Sequence, residues 1–331
     1  MIRSKIADLS VYHPARIVTN QELEARLNGR GPLLAAGSLE RLFGSRERRF
    51  AAAGEQASDL AVAAARPILE RTDADRIGFL IFAGACADLI EPATANIVQH
   101  KLGLHCPAMD VKNACNSFTS GLLTASSLIA AGVCDTVLVL NGEKLSDAIR
   151  FDPSDARQLR RSLAAYTLGD AGAAALVTTS EDDSGFHFQR FMTRGAHWPL
   201  CTIPGGGSMY PHDVDKTYFE GQTDALKKVL AEAAAGFFHA CLQEAGWQAG
   251  DVEHLFTHQV SAGTFRLITQ LTGIDPCRCE EVFTSYGNTA AASIPLAMHQ
   301  RLQRGLLQKG DRFALIGLAA GVSVSVQLGV W

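Results

Sequence analysis

No stretch of the 331-residue chain approaches 18 uninterrupted apolar residues, and its start, Met1-Ile2-Arg3-Ser4-Lys5, carries charge with no apolar run behind it. A membrane span and a secretory leader are therefore not expected, and a soluble, cytoplasmic protein is. An excess of one charge is missing too. Lys and Arg number 30 against 34 Asp and Glu, a net charge of −4, which leaves no basic field for nucleic acid or an anionic membrane surface. There is no Cys-x-x-Cys. The eight cysteines lie mostly inside apolar segments without metal-ligand spacing, and Cys277-Arg278-Cys279 holds one residue between its thiols, so no metal site or redox pair is expected. No Gly-x-Gly-x-x-Gly follows the first strand, which argues against a nucleotide-binding oxidoreductase. Low-complexity segments and flexible linkers are absent as well.

What is present is a repeated order of helix, acidic turn and continuous apolar strand. With 47% hydrophobic and 19% charged residues the chain can bury a large core. A helix over 57–70 precedes Asp75-Arg76 and a strand over 77–82; later, a helix over 223–245 precedes Asp251-Val252 and a strand over 254–258. Gly132-Val133-Cys134-Asp135 leads into a strand over 136–140, and Lys309-Gly310-Asp311-Arg312 into one over 313–317. That order, met twice, predicts a duplicated α/β unit on parallel sheet covered on both faces. The polar, turn-rich stretch 176–186 marks the join and divides the chain into halves 1–178 and 179–331.

Three residues carry candidate chemistry. Cys115 stands between a short apolar segment read as a buried strand (107–111) and a helix over 118–131, where the helix N-terminus is expected to lower the thiol pKa. The ordinary reading of a single cysteine there is an inert buried residue. His258, in Phe256-Thr257-His258-Gln259-Val260-Ser261, lies at a strand end, where α/β sheets place functional groups and where structural histidines are also common. Asn288, in Tyr286-Gly287-Asn288-Thr289, is read either as a turn before a capped helix or as an amide at the mouth of a pocket. Together they suggest a thioester-handling site, with a thiolate that attacks and His and Asn donating to a carbonyl or enolate oxygen.

These segments carry a resemblance. Gly44 to Arg49, Asp110 to Phe118 around Cys115, Leu168-Gly169-Asp170-Ala171-Gly172-Ala173-Ala174 and Ile203-Pro204-Gly205-Gly206-Gly207-Ser208 are followed by His258-Gln259, Gly287-Asn288-Thr289 and Gly317 to Gly321. In this order they resemble the β-ketoacyl-acyl-carrier-protein synthase III type of thiolase-fold condensing enzyme. The resemblance implies a five-layered αβαβα fold with two pseudo-repeated halves, a homodimer and a Cys115–His258–Asn288 triad. It also implies an oxyanion hole from the backbone N–H groups of Cys115 and Ala320. The substrates it implies are acyl-CoA or acyl-carrier-protein thioesters, with no cofactor. Gly205, Gly206 and Gly207 would shape the pocket wall. Arg46, with Arg41, Arg48 and Arg49, would meet coenzyme A phosphates or an acidic carrier protein; a solvated charge run is the plain alternative.

Departures from the family pattern point to a subtype. Ser261 and Gly263 stand where family members usually carry Asn and Arg, and Ser38 and Leu42 replace the usual adenine-holding Trp and Arg. Glu91-Pro92-Ala93-Thr94-Ala95, with Asn113-Ala114-Cys115 and His258-Gln259-Val260-Ser261, is similar to head-to-head acyl-CoA condensing enzymes of olefin biosynthesis and to pyrone-forming ketosynthases. Those enzymes condense without losing carbon dioxide and so need a base. Glu91, entering from the neighbouring subunit, is the expected one; the bland reading is a solvated loop carboxylate. The alternatives are a decarboxylating synthase that uses a malonyl thioester and a non-catalytic partner in a heterodimeric synthase. The charged stretch 150–161 is read as a mobile cover over the acyl channel.

Overall fold

The computed structural model describes residues 2–30 and 33–331. Its first sheet has five strands in the spatial order Ser4–Tyr12, Ala171–Thr179, Thr136–Glu143, Phe79–Phe82 and Ala108–Asp110. The second has four, in the order Gly185–Thr193, Ser323–Val330, Arg312–Ala319 and His254–Thr257. Both repeat one pattern: two antiparallel pairings, then a parallel one. Where the first sheet adds Ala108–Asp110 in parallel beside Phe79–Phe82, the second has only a single parallel bridge between Leu255 and Cys279.

The sheets are therefore mixed, not parallel as the sequence pattern suggested. Apolar runs report burial on both faces, and a strand such as Thr136–Glu143, buried along its whole length, reads the same whichever way its neighbour runs. The strand before Cys115 also differs from expectation. Ala108–Asp110 is short and partly exposed because it forms the edge of its sheet.

Five layers stack as αβαβα. Ala57–Leu69 and Thr94–Leu102 cover the outer face of the first sheet. Ser117–Ala130 and Ser293–Gln303 fill the space between the sheets. Thr223–Ala245 and Ala262–Thr272 cover the second sheet from outside. Tight strand–helix contact depends on missing side chains: a Cβ on Gly142 would come 1.9 Å from the Ala57 carbonyl oxygen, and one on Gly172 2.1 Å from that of Leu60. The stacking brings the carboxyl ends of strands together. Cys115 follows Ala108–Asp110, His258 follows His254–Thr257, Ala320 follows Arg312–Ala319, and Glu143 ends Thr136–Glu143.

Candidate active site

Cys115 sits in a tight turn just before the helix Ser117–Ala130. Ser117 Oγ donates to the Ala114 carbonyl (2.7 Å) and accepts from the Asn113 N–H (2.8 Å), and Ala114 is held at φ 47°, in the left-handed region. The expectation of a lowered thiol pKa fails. The backbone N–H groups of Cys115 and Ala320 do favour the thiolate, but burial outweighs them, and the buried Glu143 carboxylate and Cys201 add to it. The thiol is pushed up to about 12.

His258 is 3% exposed. Its Nδ1 lies 3.1 Å from the Ala290 carbonyl oxygen and 2.9 Å from Ser293 Oγ, while Ser293 Oγ itself donates to the same carbonyl at 2.8 Å. A carbonyl only accepts, so Nδ1 carries the proton and Nε2 presents its lone pair. Burial drives the imidazole pKa down to about 4, so the ring is neutral at physiological pH. The expected donor role is thus reversed for the resting ring: Nε2 accepts a proton before it can donate one.

Asn288 is threaded between two backbone hydrogen bonds, its N–H to the Thr167 carbonyl (2.7 Å) and its carbonyl from the Gly169 N–H (3.0 Å). Its Oδ1 accepts from the Ala290 N–H at 3.0 Å, and its Nδ2 makes no hydrogen bond among the described residues. Ala290, at φ 44°, links two of the three residues directly. Its carbonyl orients His258, its N–H orients Asn288, and it belongs to the apolar cluster against which Cys115 packs.

Glu91 is not brought to this site within its own chain. It lies in an exposed loop after Leu89 and Ile90, which are 52% and 82% exposed, and its side chain makes no hydrogen bond among the described residues. Ser261 caps the helix Ala262–Thr272 through the Thr264 N–H (3.3 Å). Gly205, Gly206 and Gly207 form a loop tied back by Gly205 N–H to the Lys216 carbonyl (2.7 Å) and Gly206 N–H to that of Tyr210 (3.0 Å). Arg46 is exposed and bonded to Glu40 at 3.2 Å. Arg48 cannot meet a phosphate. It is fully buried and donates to Asn20 Oδ1 (2.7 Å) and the Tyr166 carbonyl (3.0 Å), and burial lowers its pKa to about 10. In the stretch 150–161, Arg150 is buried and bonded to the Asp215 carbonyl at 2.9 Å, and Ala156–Ser162 is helical.

Sequence reasoning missed Glu143, Asn116 and Ser293. Glu143 is fully buried and accepts from the N–H groups of Ala85 (2.9 Å) and Cys86 (3.2 Å) and from Asn141 Nδ2 (3.0 Å). Burial raises its carboxyl pKa, with those hydrogen bonds opposing. The one sequence signal for it was an acid three positions after the apolar run Val137–Leu140, behind Asn141-Gly142. Among the described residues no cluster of three or more His, Cys, Asp or Glu could hold a metal, and no helix is long and apolar enough to cross a membrane.

Two family profiles match the chain: 3-oxoacyl-[acyl-carrier-protein] synthase III over residues 109–195, and the C-terminal part of the same synthase over 242–331. A β-ketoacyl-[acyl-carrier-protein] synthase III of Streptomyces coelicolor is 32% identical, over 99% of this chain and 97% of its own. The chain belongs to this family. It is a thiolase-fold ketosynthase, an acyltransferase that forms carbon–carbon bonds. An acyl-CoA:acyl-CoA alkyltransferase of Xanthomonas campestris is 31% identical over 98% of both chains. Solved structures of Xanthomonas campestris OleA superpose with TM-scores up to 0.90 at 29% identity, covering 100% of this chain and 98% of that one. They include variants with a glutamate replaced by alanine or glutamine, a histidine replaced by aspartate, and a cysteine replaced by serine with lauric acid and lauroyl-CoA bound. A synthase III of Aquifex aeolicus superposes with a TM-score of 0.86 at 26% identity.

Proposed function

We propose that this ketosynthase joins two acyl-CoA molecules, or acyl-carrier-protein thioesters, by Claisen condensation without decarboxylation. The observation that carries the proposal is the Ala290 hub, which supports a neutral His258 with a free Nε2 lone pair and an Asn288 whose Oδ1 is held and whose Nδ2 has no partner among the described residues. Cys115 sulfur attacks the first thioester carbonyl as its proton passes to His258 Nε2, and the Ala290 carbonyl steadies the imidazolium. The N–H groups of Cys115 and Ala320 hold the tetrahedral oxyanion. Collapse breaks the donor's C–S bond, and the leaving thiolate takes the proton back from Nε2.

The second thioester then places its carbonyl oxygen against Asn288 Nδ2. His258 helps there only while Nε2 bears a proton. Glu91 of the neighbouring subunit removes the α-proton, and the carbanion attacks the acyl-Cys115 carbonyl. Expulsion of the Cys115 thiolate yields a β-ketoacyl thioester, and the thiolate is reprotonated at the expense of the Glu91 carboxylic acid. The product is released as such, hydrolysed to a β-keto acid or cyclised to a pyrone. An exposed Glu91 beside exposed Leu89 and Ile90 supports a homodimer in which this loop enters the partner. Residues 1–178 supply Cys115 and 179–331 supply His258 and Asn288, the two halves of the duplicated fold. Eight unpaired cysteines fit a reducing, cytoplasmic setting.

The test is Glu91→Gln, read by intact mass and product analysis. The variant is expected to acylate Cys115 at the wild-type rate and to form no condensation product. Wild-type yield from it would remove Glu91 from the mechanism. The likeness to the Streptomyces coelicolor synthase favours a second reading, decarboxylative extension, which strict dependence on a malonyl thioester would establish.

A further inference from the structure

The two N–H groups assigned to the oxyanion hole come from opposite halves of the chain, and something has to hold them at one spacing. Cys115 lies on the loop before the helix Ser117–Ala130, and Ala320 on the turn between Arg312–Ala319 and Ser323–Val330. Both loops are strained at a non-glycine residue, Ala114 at φ 47° and Val322 at φ 42°. Such conformations persist only where surrounding contacts impose them.

Asn116 supplies that contact. It occupies the N-cap position of Ser117–Ala130, where an asparagine side chain ordinarily accepts an N–H from the helix's own first turn. Here it makes no such cap. Its Nδ2 crosses to the other half and donates to the Ser323 carbonyl (3.0 Å) and Ser323 Oγ (3.1 Å), while Asn113 Nδ2 reaches the same hydroxyl at 3.3 Å. Asn116 is 0% exposed and Ser323 2%. The strand is built to receive it. Ser323, Ser325 and Gln327 face the helix, with Ser325 Oγ 3.1 Å from Thr119 Oγ1 and Gln327 Nε2 donating to the Thr119 carbonyl at 2.8 Å. Val324, Val326 and Leu328, alternating with them, face the outer apolar core. Gly317 clears the space, since a Cβ there would lie 1.9 Å from Asn116 Oδ1 and 2.4 Å from Ser325 Oγ.

We propose that Asn116 and Ser323 are positioning residues. The Asn116 amide, locked onto Ser323, fixes the Ala320–Val322 turn against the nucleophile loop so that the N–H groups of Cys115 and Ala320 converge on one oxygen. Asn116 forgoes local helix capping for this long-range bond. The proposal rests on the acyl-Cys115 reading above and deepens it.

The test separates two reactions of one sulfur. Acylation by an acyl-CoA develops an oxyanion; alkylation by iodoacetamide displaces iodide and develops none. In Asn116→Ala, acylation of Cys115 is expected to fall by about 10- to 100-fold, part of the loss that follows removal of a whole oxyanion donor. Alkylation at the same pH is expected to fall by no more than about 3-fold, because the thiolate loses only part of the help of the Ala320 N–H. Ser323→Ala, which deletes a single hydroxyl and keeps the carbonyl acceptor, should show the same split with a smaller loss and serves if the asparagine variant does not fold. Parallel loss of both reactions, or wild-type acylation in either folded variant, overturns the positioning role while leaving the acyl-Cys115 reading intact. A wild-type chain that alkylates at Cys115 but is never acylated overturns both.

Discussion

Alkylating Cys115 across pH shows directly how its nucleophile is generated. Burial and the Glu143 carboxylate hold the thiol at about 12, and burial holds His258 at about 4, so the resting pair is thiol and imidazole, not thiolate and imidazolium. At pH 8 a thiol with a pKa of about 12 is ionised to roughly one part in 10⁴, against about a quarter for a free cysteine near 8.5. The Cys115 alkylation rate, followed by peptide mass spectrometry so that exposed Cys277 does not mask it, should therefore be about a thousandfold below that of a free thiol at this pH. It should climb about tenfold per pH unit from 7 to 10 without levelling. Glu143→Gln removes the neighbouring negative charge and should displace the profile toward lower pH. His258→Ala should leave it in place, because the neutral ring carries its one proton on Nδ1, against the Ala290 carbonyl, and has none on Nε2 to stabilise a thiolate. A plateau below pH 8 that disappears in His258→Ala would refute this reasoning and show a preformed ion pair.

Acid should unfold the protein through its buried histidines. His258 binds its proton less tightly folded than unfolded, so its contribution to stability is complete above pH 6.5 and is lost as pH falls toward 4. From 6.5 to about 4, at 1.36 kcal/mol per pH unit, that is about 3 kcal/mol, and urea denaturation of His258→Asn should show a correspondingly flatter acid limb. Gly172→Ala should cost more than about 2 kcal/mol in the same assay, because the methyl would meet the Leu60 carbonyl oxygen and the helix Ala57–Leu69 would have to lift from its sheet. Arg48→Ala should cost at least about 3 kcal/mol, since it strands buried acceptors on Asn20 and Tyr166.

The fold was legible where burial and period suffice. The helices at 57–69 and 223–245 and the strand from 136 lie close to where their apolar patterns placed them. Strand direction was not legible, because a fully buried strand has no polar face to report which way its partner runs. At the site, Cys115, His258 and Asn288 stood out by chemistry and position. Their protonation states did not, because a helix N-terminus shows in sequence and the surrounding desolvation does not. Arg48 looked like its neighbours Arg46 and Arg49, and only packing shows it enclosed. Asn116 went unnoticed in the sequence because its partner, Ser323, lies 207 positions away.

The measurement that bears most directly on the central claim is the fate of a long-chain acyl-CoA supplied alone to the purified protein, followed by intact mass and product analysis. The account predicts an acyl adduct on Cys115 and a β-ketoacyl product, or the ketone derived from it, with no carbon dioxide released in its formation. An adduct that yields product only after a malonyl thioester is added would contradict it.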